Sequence, residues 1–151
     1  MPGKVIPQPD DLNLELFQAI AASSEMHVQQ CADCGAYAHP PRYYCARCFS
    51  PAYRMTPVSG VGTVYSHTLS HVTAEPAWQD EVPYATVVVE LDEGPRIVAA
   101  ARHPDPAAIR LGQRVRVVPE PRTADFAFLT VVFDDAPLPG DVLPREATDA
   151  G

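Results

Sequence analysis

At 151 residues and 46% hydrophobic content, the chain has the size of one ordinary domain, or of a small metal module joined to a slightly larger one. No run approaches the roughly 18 apolar residues of a membrane span. A formal charge of −8, with Lys4 as the single lysine and the arginines scattered, argues against nucleic acid as a partner. The first residues, MPGKVIPQPDD, show no apolar run and no cleavage site, so a cytoplasmic location is expected.

Met1 to Pro9 reads as an irregular, proline-rich arm. From Asp10 the pattern changes. Leu12, Leu16 and Ile20 recur at i, i+4 and i+8 with Phe17 beside them, the apolar stripe of a helix of about ten residues that Asp10 or Asp11 would cap. So short a helix needs a surface for its stripe, either the chain's own core or a partner, and the partner is slightly favoured.

Met26 to Gln30 then reads as a short strand leading into all four cysteines of the chain, which form two Cys-x2-Cys pairs, Cys31 with Cys34 and Cys45 with Cys48. Each such knuckle turns both sulfurs to one side, and two of them place four thiolates at the corners of a tetrahedron, the arrangement of structural Zn²⁺. A rubredoxin-like iron site is the runner-up. Disulfides need an oxidising compartment, and a thioredoxin-like pair needs a βαβ pattern that is absent here. With every corner taken by sulfur, no position remains for water or substrate, so the site is expected to be structural. Gly35 falls where a knuckle often needs positive φ. Pro40, Pro41 and Arg42 mark the far end of the loop between the knuckles, Tyr43 and Tyr44 bring the chain back, the ribbon ends near Ser50-Pro51, and Ala52 to Pro57 reads as a connector.

Beyond Gly60 the signal is β throughout. Val61 to Leu69 is rich in β-branched and aromatic residues, with Gly62 suited to a bulge or bend. Tyr84 to Leu91 is an apolar run consistent with a strand buried on both sides, and Arg96 to Ala101 returns as its hairpin partner after the turn Asp92 to Pro95. Arg114 to Val118 alternates strictly, and Phe126 to Phe133 supplies a fifth strand. Five strands joined by two long and two short connections predict a mostly β fold: the N-terminal helix, a rubredoxin-like zinc ribbon, then a five-stranded OB-fold Greek-key barrel. The proline-rich tail after Asp134 reads as a solvated strap or a disordered segment.

No catalytic constellation is legible. Ser66 and His67 are adjacent on a strand, so they point to opposite faces, and no nucleophile-elbow motif joins them to Asp92. His67 and His71 share a face only if the strand continues, and Asp92 and Glu93 suit turn geometry. Trp78, the only tryptophan, lies in the connection from Ser70 to Pro83 and either plugs the barrel end or anchors an interface.

The order of these features resembles the DUF35 family. It is carried by Cys31-Ala32-Asp33-Cys34-Gly35, Pro40-Pro41-Arg42, Cys45-Ala46-Arg47-Cys48, Ser59-Gly60-Val61-Gly62-Thr63-Val64-Tyr65-Ser66, Pro83-Tyr84, Leu91-Asp92-Glu93-Gly94 and Leu111-Gly112, over roughly residues 10 to 133. Ser23-Ser24-Glu25-Met26 departs from the family, many members of which have a glycine and a basic residue there. The expected organisation is an arm and helix over 1–25, a zinc ribbon over 26–57, the barrel over 58–133 and a tail over 134–151. The resemblance implies a non-catalytic accessory subunit that scaffolds a thiolase-superfamily enzyme, a lipid-transfer-like protein or a MaoC-type hydratase and walls its acyl-CoA entrance, in lipid or steroid metabolism. It implies structural Zn²⁺ and a coenzyme A thioester at the interface, with Arg42, Arg47 and Arg54 near its phosphates. Leu16, Phe17, Pro40, Pro41, Tyr43 and Trp78 are the expected partner contacts. A single-stranded nucleic-acid-binding barrel and a stand-alone acyl-CoA enzyme are the alternatives.

Overall fold

The computed structural model describes residues 4–134; the tail from residue 135 onward lies outside the described residues. Helix α1 spans Asp11–Ser23. Asp10 sits at its N-cap position but makes no side-chain cap, and Asp11 takes a left-handed φ of 51°. The expected aspartate cap is therefore corrected, and packing holds the helix instead. Leu16 and Ile20 are 1% and 0% exposed in the chain's own core, and Phe17 lies against Phe126 with ring centroids 4.9 Å apart. The stripe thus lies on the chain's own core and not on a partner, which corrects the expectation for Leu16, while Phe17 stays half-buried. The helix ends at Ser24, which adopts the left-handed conformation (φ 59°) while its N–H reaches the Ile20 carbonyl at 2.8 Å. That is the geometry a glycine adopts most easily, and here a serine takes it.

Strand β1 (His27–Cys31) is the centre of a three-stranded ribbon sheet, flanked by β2 (Tyr37–Ala38) and β3 (Tyr53–Pro57). The stretch expected to be a connector is thus mostly strand. It pairs along its whole length with β1, from His27 opposite Pro57 to Cys31 opposite Tyr53.

The remaining strands, β4 (Val61–Ser70), β5 (Tyr84–Leu91), β6 (Arg96–Ala101), β7 (Arg114–Thr123) and β8 (Phe126–Phe133), close a barrel in the order β4-β5-β6-β8-β7. A parallel pairing of β6 with β8 and an antiparallel one of β7 with β4 complete the closure, which is OB-fold topology. On β5 burial alternates: Ala85, Val87, Val89 and Leu91 face the core, whereas Tyr84, Thr86, Val88 and Glu90 are half-buried. The strand is not buried on both sides, because only one face of the barrel wall looks inward. Gly62 marks no bulge. A Cβ there would lie 2.2 Å from the Glu90 carbonyl oxygen, so glycine permits close approach to β5, and the register shift falls at Tyr65. Strand β7 runs five residues past the expected Val118, despite Pro119 and Pro121. Its pairing with β4 ends at Arg116, so beyond that point one edge is open and the missing proline N–H groups break no ladder.

Leu16 and Ile20 of the helix, Met26 and Val28 at the base of the ribbon, and Val64, Val87, Ile97, Val117 and Val131 of the barrel form one continuous core. No helix among the described residues is long and apolar enough to cross a membrane. Replacing Leu16 by alanine is expected to cost about 2–5 kcal/mol in chemical denaturation, whereas a stripe reserved for a partner would leave the free chain unaffected. At the surface, Arg114 donates twice to Asp92, at 2.8 Å each, tying the β5–β6 turn to the start of β7. This hydrogen-bonded guanidinium holds the Asp92 carboxyl below its ordinary 3.8, so its contribution is present above that value and is lost as pH falls through the lowered one. Asp92→Asn is expected to lower the melting temperature slightly at neutral pH, with the gap closing in acid.

Candidate metal centre and ribbon cleft

The two cysteine knuckles are built on the same hydrogen bonds. The Cys31 N–H donates to the Ala36 carbonyl and the Cys45 N–H to the Ser50 carbonyl, both at 2.9 Å. The Gly35 N–H returns to the Cys31 carbonyl at 3.1 Å and the Phe49 N–H to the Cys45 carbonyl at 2.9 Å. The residue four places after each first cysteine must therefore be left-handed. Gly35 (φ 73°) meets that demand freely, whereas in the second knuckle it falls on Phe49 (φ 61°), whose ring is 78% exposed.

The four sulfurs lie within 4.8 Å of one another. Cys31 and Cys48 approach to 3.6 Å, as do Cys34 and Cys45. A tetrahedron with Zn–S of 2.3 Å has edges of about 3.8 Å, so the cluster has the dimensions of a zinc site and not of disulfides, whose sulfurs lie about 2.0 Å apart. The chemistry of the donor set agrees. Backbone N–H groups of Cys34 and Asp33 lower the Cys31 thiol, and those of Cys48 and Arg47 bring Cys45 down to about 6. The Ser50 N–H favours the Cys48 thiolate too, but desolvation and the three neighbouring sulfurs override it and raise that thiol to about 12. Four thiolates at this spacing repel one another unless a cation joins them, and all four residues fit Zn²⁺.

Beside the sulfurs is a cleft of about 440 Å³ between the ribbon and the β5–β6 turn, lined by Gln29, His39, Arg42, Tyr43, Arg47 and Glu93 among others. Buried Gln29 fixes its wall, donating to the Arg42 carbonyl at 2.7 Å and accepting the Arg42 N–H at 2.8 Å. Neither the Arg42 nor the Arg47 guanidinium has an ion-pair partner among the described residues. Arg54 does not line this cleft. It donates to Gln30 at 3.0 Å, so of the three expected arginines the cleft gathers Arg42 and Arg47. Burial lowers His39 to about 4, so it is neutral at pH 7, and its Nδ1 has no partner among the described residues. The outer rim carries Tyr43 and Tyr44, 60% and 63% exposed, beside exposed Pro40 and half-buried Pro41. Phe49 was missed in the sequence; aligning the two knuckles, with Phe49 opposite Gly35, is the signal that would have found it.

The other candidates are dispersed. Trp78 lies on a 3-10 helix, η1 (Pro76–Glu81). It is half-buried against Tyr84 (centroids 5.2 Å apart) under the Lys4 ammonium at 4.0 Å. His67 is half-buried on β4, and His71 lies beyond the strand's end. Asp92 donates its N–H to Val61, five residues along β4 from Ser66 and so about 16 Å away. No triad forms there.

Two family models match the chain consecutively: a ChsH2 rubredoxin-like zinc ribbon domain over residues 28–54 and a ChsH2 C-terminal OB-fold domain over residues 55–120. The chain is 35% identical over 99 residues to a probable enoyl-CoA hydratase alpha subunit of Thermomonospora curvata, covering 66% of this chain and 30% of that protein. It is 30% identical over 90 residues to a DUF35 domain-containing scaffold protein of Methanothermobacter thermautotrophicus, covering 59% of this chain and 67% of that one. Among solved structures it is similar to a chain of an Ltp2-ChsH2(DUF35) aldolase, with TM-score 0.72 and 28% identity over 83% of this chain and 96% of that chain. The chain thus spans less than a third of the length of the hydratase subunit.

Protein purified in reducing, chelator-free buffer is expected to carry a single zinc by elemental analysis. Cys45→Ser should lose the metal and unfold the ribbon, since metal binding and folding are one equilibrium in such modules. Metal content far below one per chain in the unsubstituted protein would overturn the assignment.

Proposed function

We propose that this chain, which belongs to the DUF35 family, is a non-catalytic accessory subunit that binds and supports an acyl-CoA enzyme of the thiolase superfamily. Zn²⁺ held by Cys31, Cys34, Cys45 and Cys48 is structural in this reading, and its thiolates suit a reducing cytoplasm. The observation that carries it is the ribbon loop, where three large aromatic residues within seven positions, Tyr43, Tyr44 and Phe49, are each exposed. Exposed rings on a rigid metal-built loop are the anchors a protein interface uses, and Pro40 and Pro41 extend that surface. Standard interfaces bury about 800 Å² per partner, an area this rim can nucleate.

The comparisons supply the kind of partner. A DUF35 chain is named with an aldolase in the similar structure, and another relative is named as a hydratase subunit. A hydratase of the MaoC type is therefore the second reading. Arg42 and Arg47 flank the cleft and would face the phosphates of a coenzyme A thioester bound where the subunits meet.

Co-expression with a thiolase-like, lipid-transfer-like or MaoC-like protein encoded beside this chain tests the proposal. Co-elution in size exclusion, with acyl-CoA turnover that needs both chains, is the expected result. Phe49→Gly sharpens the test. Glycine relieves the left-handed strain, so ribbon stability should hold or rise by up to about 1 kcal/mol, while partner affinity should fall at least about tenfold. Separate elution with full activity in the partner alone refutes the subunit role, and acyl-CoA turnover by this chain alone restores the enzyme reading.

A further inference from the structure

A second cleft, of about 470 Å³, opens where β5 begins and β6 ends, beneath η1 and away from the cysteines. We propose that it is a binding site for a monocarboxylate with a ring-bearing apolar body, a role that does not depend on the accessory-subunit reading. Its walls are flat and apolar. Trp78 and Tyr84 line one side, tilted 46° to each other, Phe128 lines the cleft as well, and the small, exposed side chain of Ala100 leaves the room between. A volume in the range of small-molecule sites and aromatic walls beside a cluster of charged groups are what such ligands require.

The polar groups decide the ligand's charge. Lys4, Arg102 and Arg122 line the cleft against two carboxylates, Glu81 and Glu120, so a local positive excess stands on a chain of net charge −8. Glu120 is saturated: it accepts two bonds from Arg102 at 3.0 Å, one from Arg122 at 3.1 Å and one from the buried Thr130 hydroxyl at 2.8 Å. It therefore anchors both guanidiniums and has little left for a ligand cation. Lys4 is paired to Glu81. Arg122 uses only one of its five N–H donors on Glu120 and lies over the Phe128 ring at 5.6 Å. It is the open hand of the cluster, positioned above an apolar wall. A planar carboxylate matches the free guanidinium fork, and one surplus charge suits a monoanion better than a polyphosphate.

Trp78 is the chain's only tryptophan and stands in the cleft wall, so its fluorescence reports occupancy directly. Titration of the full chain with 4-phenylbutyrate should give a saturable change, with binding about tenfold tighter than for the neutral 4-phenylbutyramide and weakening with added salt. Arg122→Gln should erase the preference for the acid while leaving the amide bound. Ala100→Leu, which fills the cleft from the exposed face of β6, should abolish binding of both with the melting curve unchanged. No saturable change with 4-phenylbutyrate at millimolar concentration overturns the site. Equal affinity for acid and amide, or unchanged binding in Ala100→Leu, overturns it as well.

Discussion

One five-residue strand, β1, belongs to two centres at once. Val28 is fully buried in the core shared by helix and barrel, and three residues later Cys31 turns its sulfur into the metal cluster. A strand is straight over this distance, about 10 Å at 3.3 Å per residue, so the ribbon cannot swing without disturbing the barrel core. Helix α1 reinforces the arrangement by packing on both β1 and the β7–β8 hairpin through Leu16 and Ile20. The ribbon cleft, whose far wall is Glu93, Gly94 and Pro95 of the barrel, inherits fixed dimensions from this shared strand.

The electrostatics of that cleft explain why the aromatic rim carries the functional reading more strongly than the arginines. Cys31 and Cys45 line the same space as Arg42 and Arg47. A Zn²⁺ bound by four thiolates has a net charge of about −2, so part of the guanidinium field is already engaged in offsetting it. Glu93, whose carboxylate accepts the Ser59 N–H at 2.9 Å, adds a further negative charge. What remains for a phosphate is modest, whereas the rings of Tyr43, Tyr44 and Phe49 are exposed and need no such balance.

Much of this was legible in the sequence because it is periodic or fixed by spacing. The apolar run over Tyr84–Leu91, the turn before Arg96–Ala101 and the alternation of Val115 with Val117 marked barrel strands, and the cysteine spacing marked the four-sulfur site. What was hidden depends on partners far along the chain. Residues Tyr53 to Pro57 end in a proline, with Pro51 just before them, and become a strand only by pairing with β1. Pro119 and Pro121 lie beyond the alternating run that marked β7, and the open edge past Arg116 admits them. The helix stripe showed which face is apolar but not what covers it. Arg54 stood beside the other arginines in the sequence, yet strand alternation on β3 turned it to Gln30.

Phe49 brings these strands of argument together. A bulky residue held left-handed costs roughly 1–3 kcal/mol and persists only where its surroundings over-determine it. Here the determinant is the second knuckle: the Phe49 N–H must reach the Cys45 carbonyl while the Cys45 N–H reaches Ser50. That loop is shaped by the need to bring the Cys45 and Cys48 sulfurs to one point. Without a cation the four thiols repel as they ionise, the knuckle loosens, and Phe49 is free to relax out of its strained conformation. On the proposal that Phe49 anchors a partner, the metal's contribution to binding would be indirect, through the loop geometry that keeps this exposed residue in a left-handed conformation.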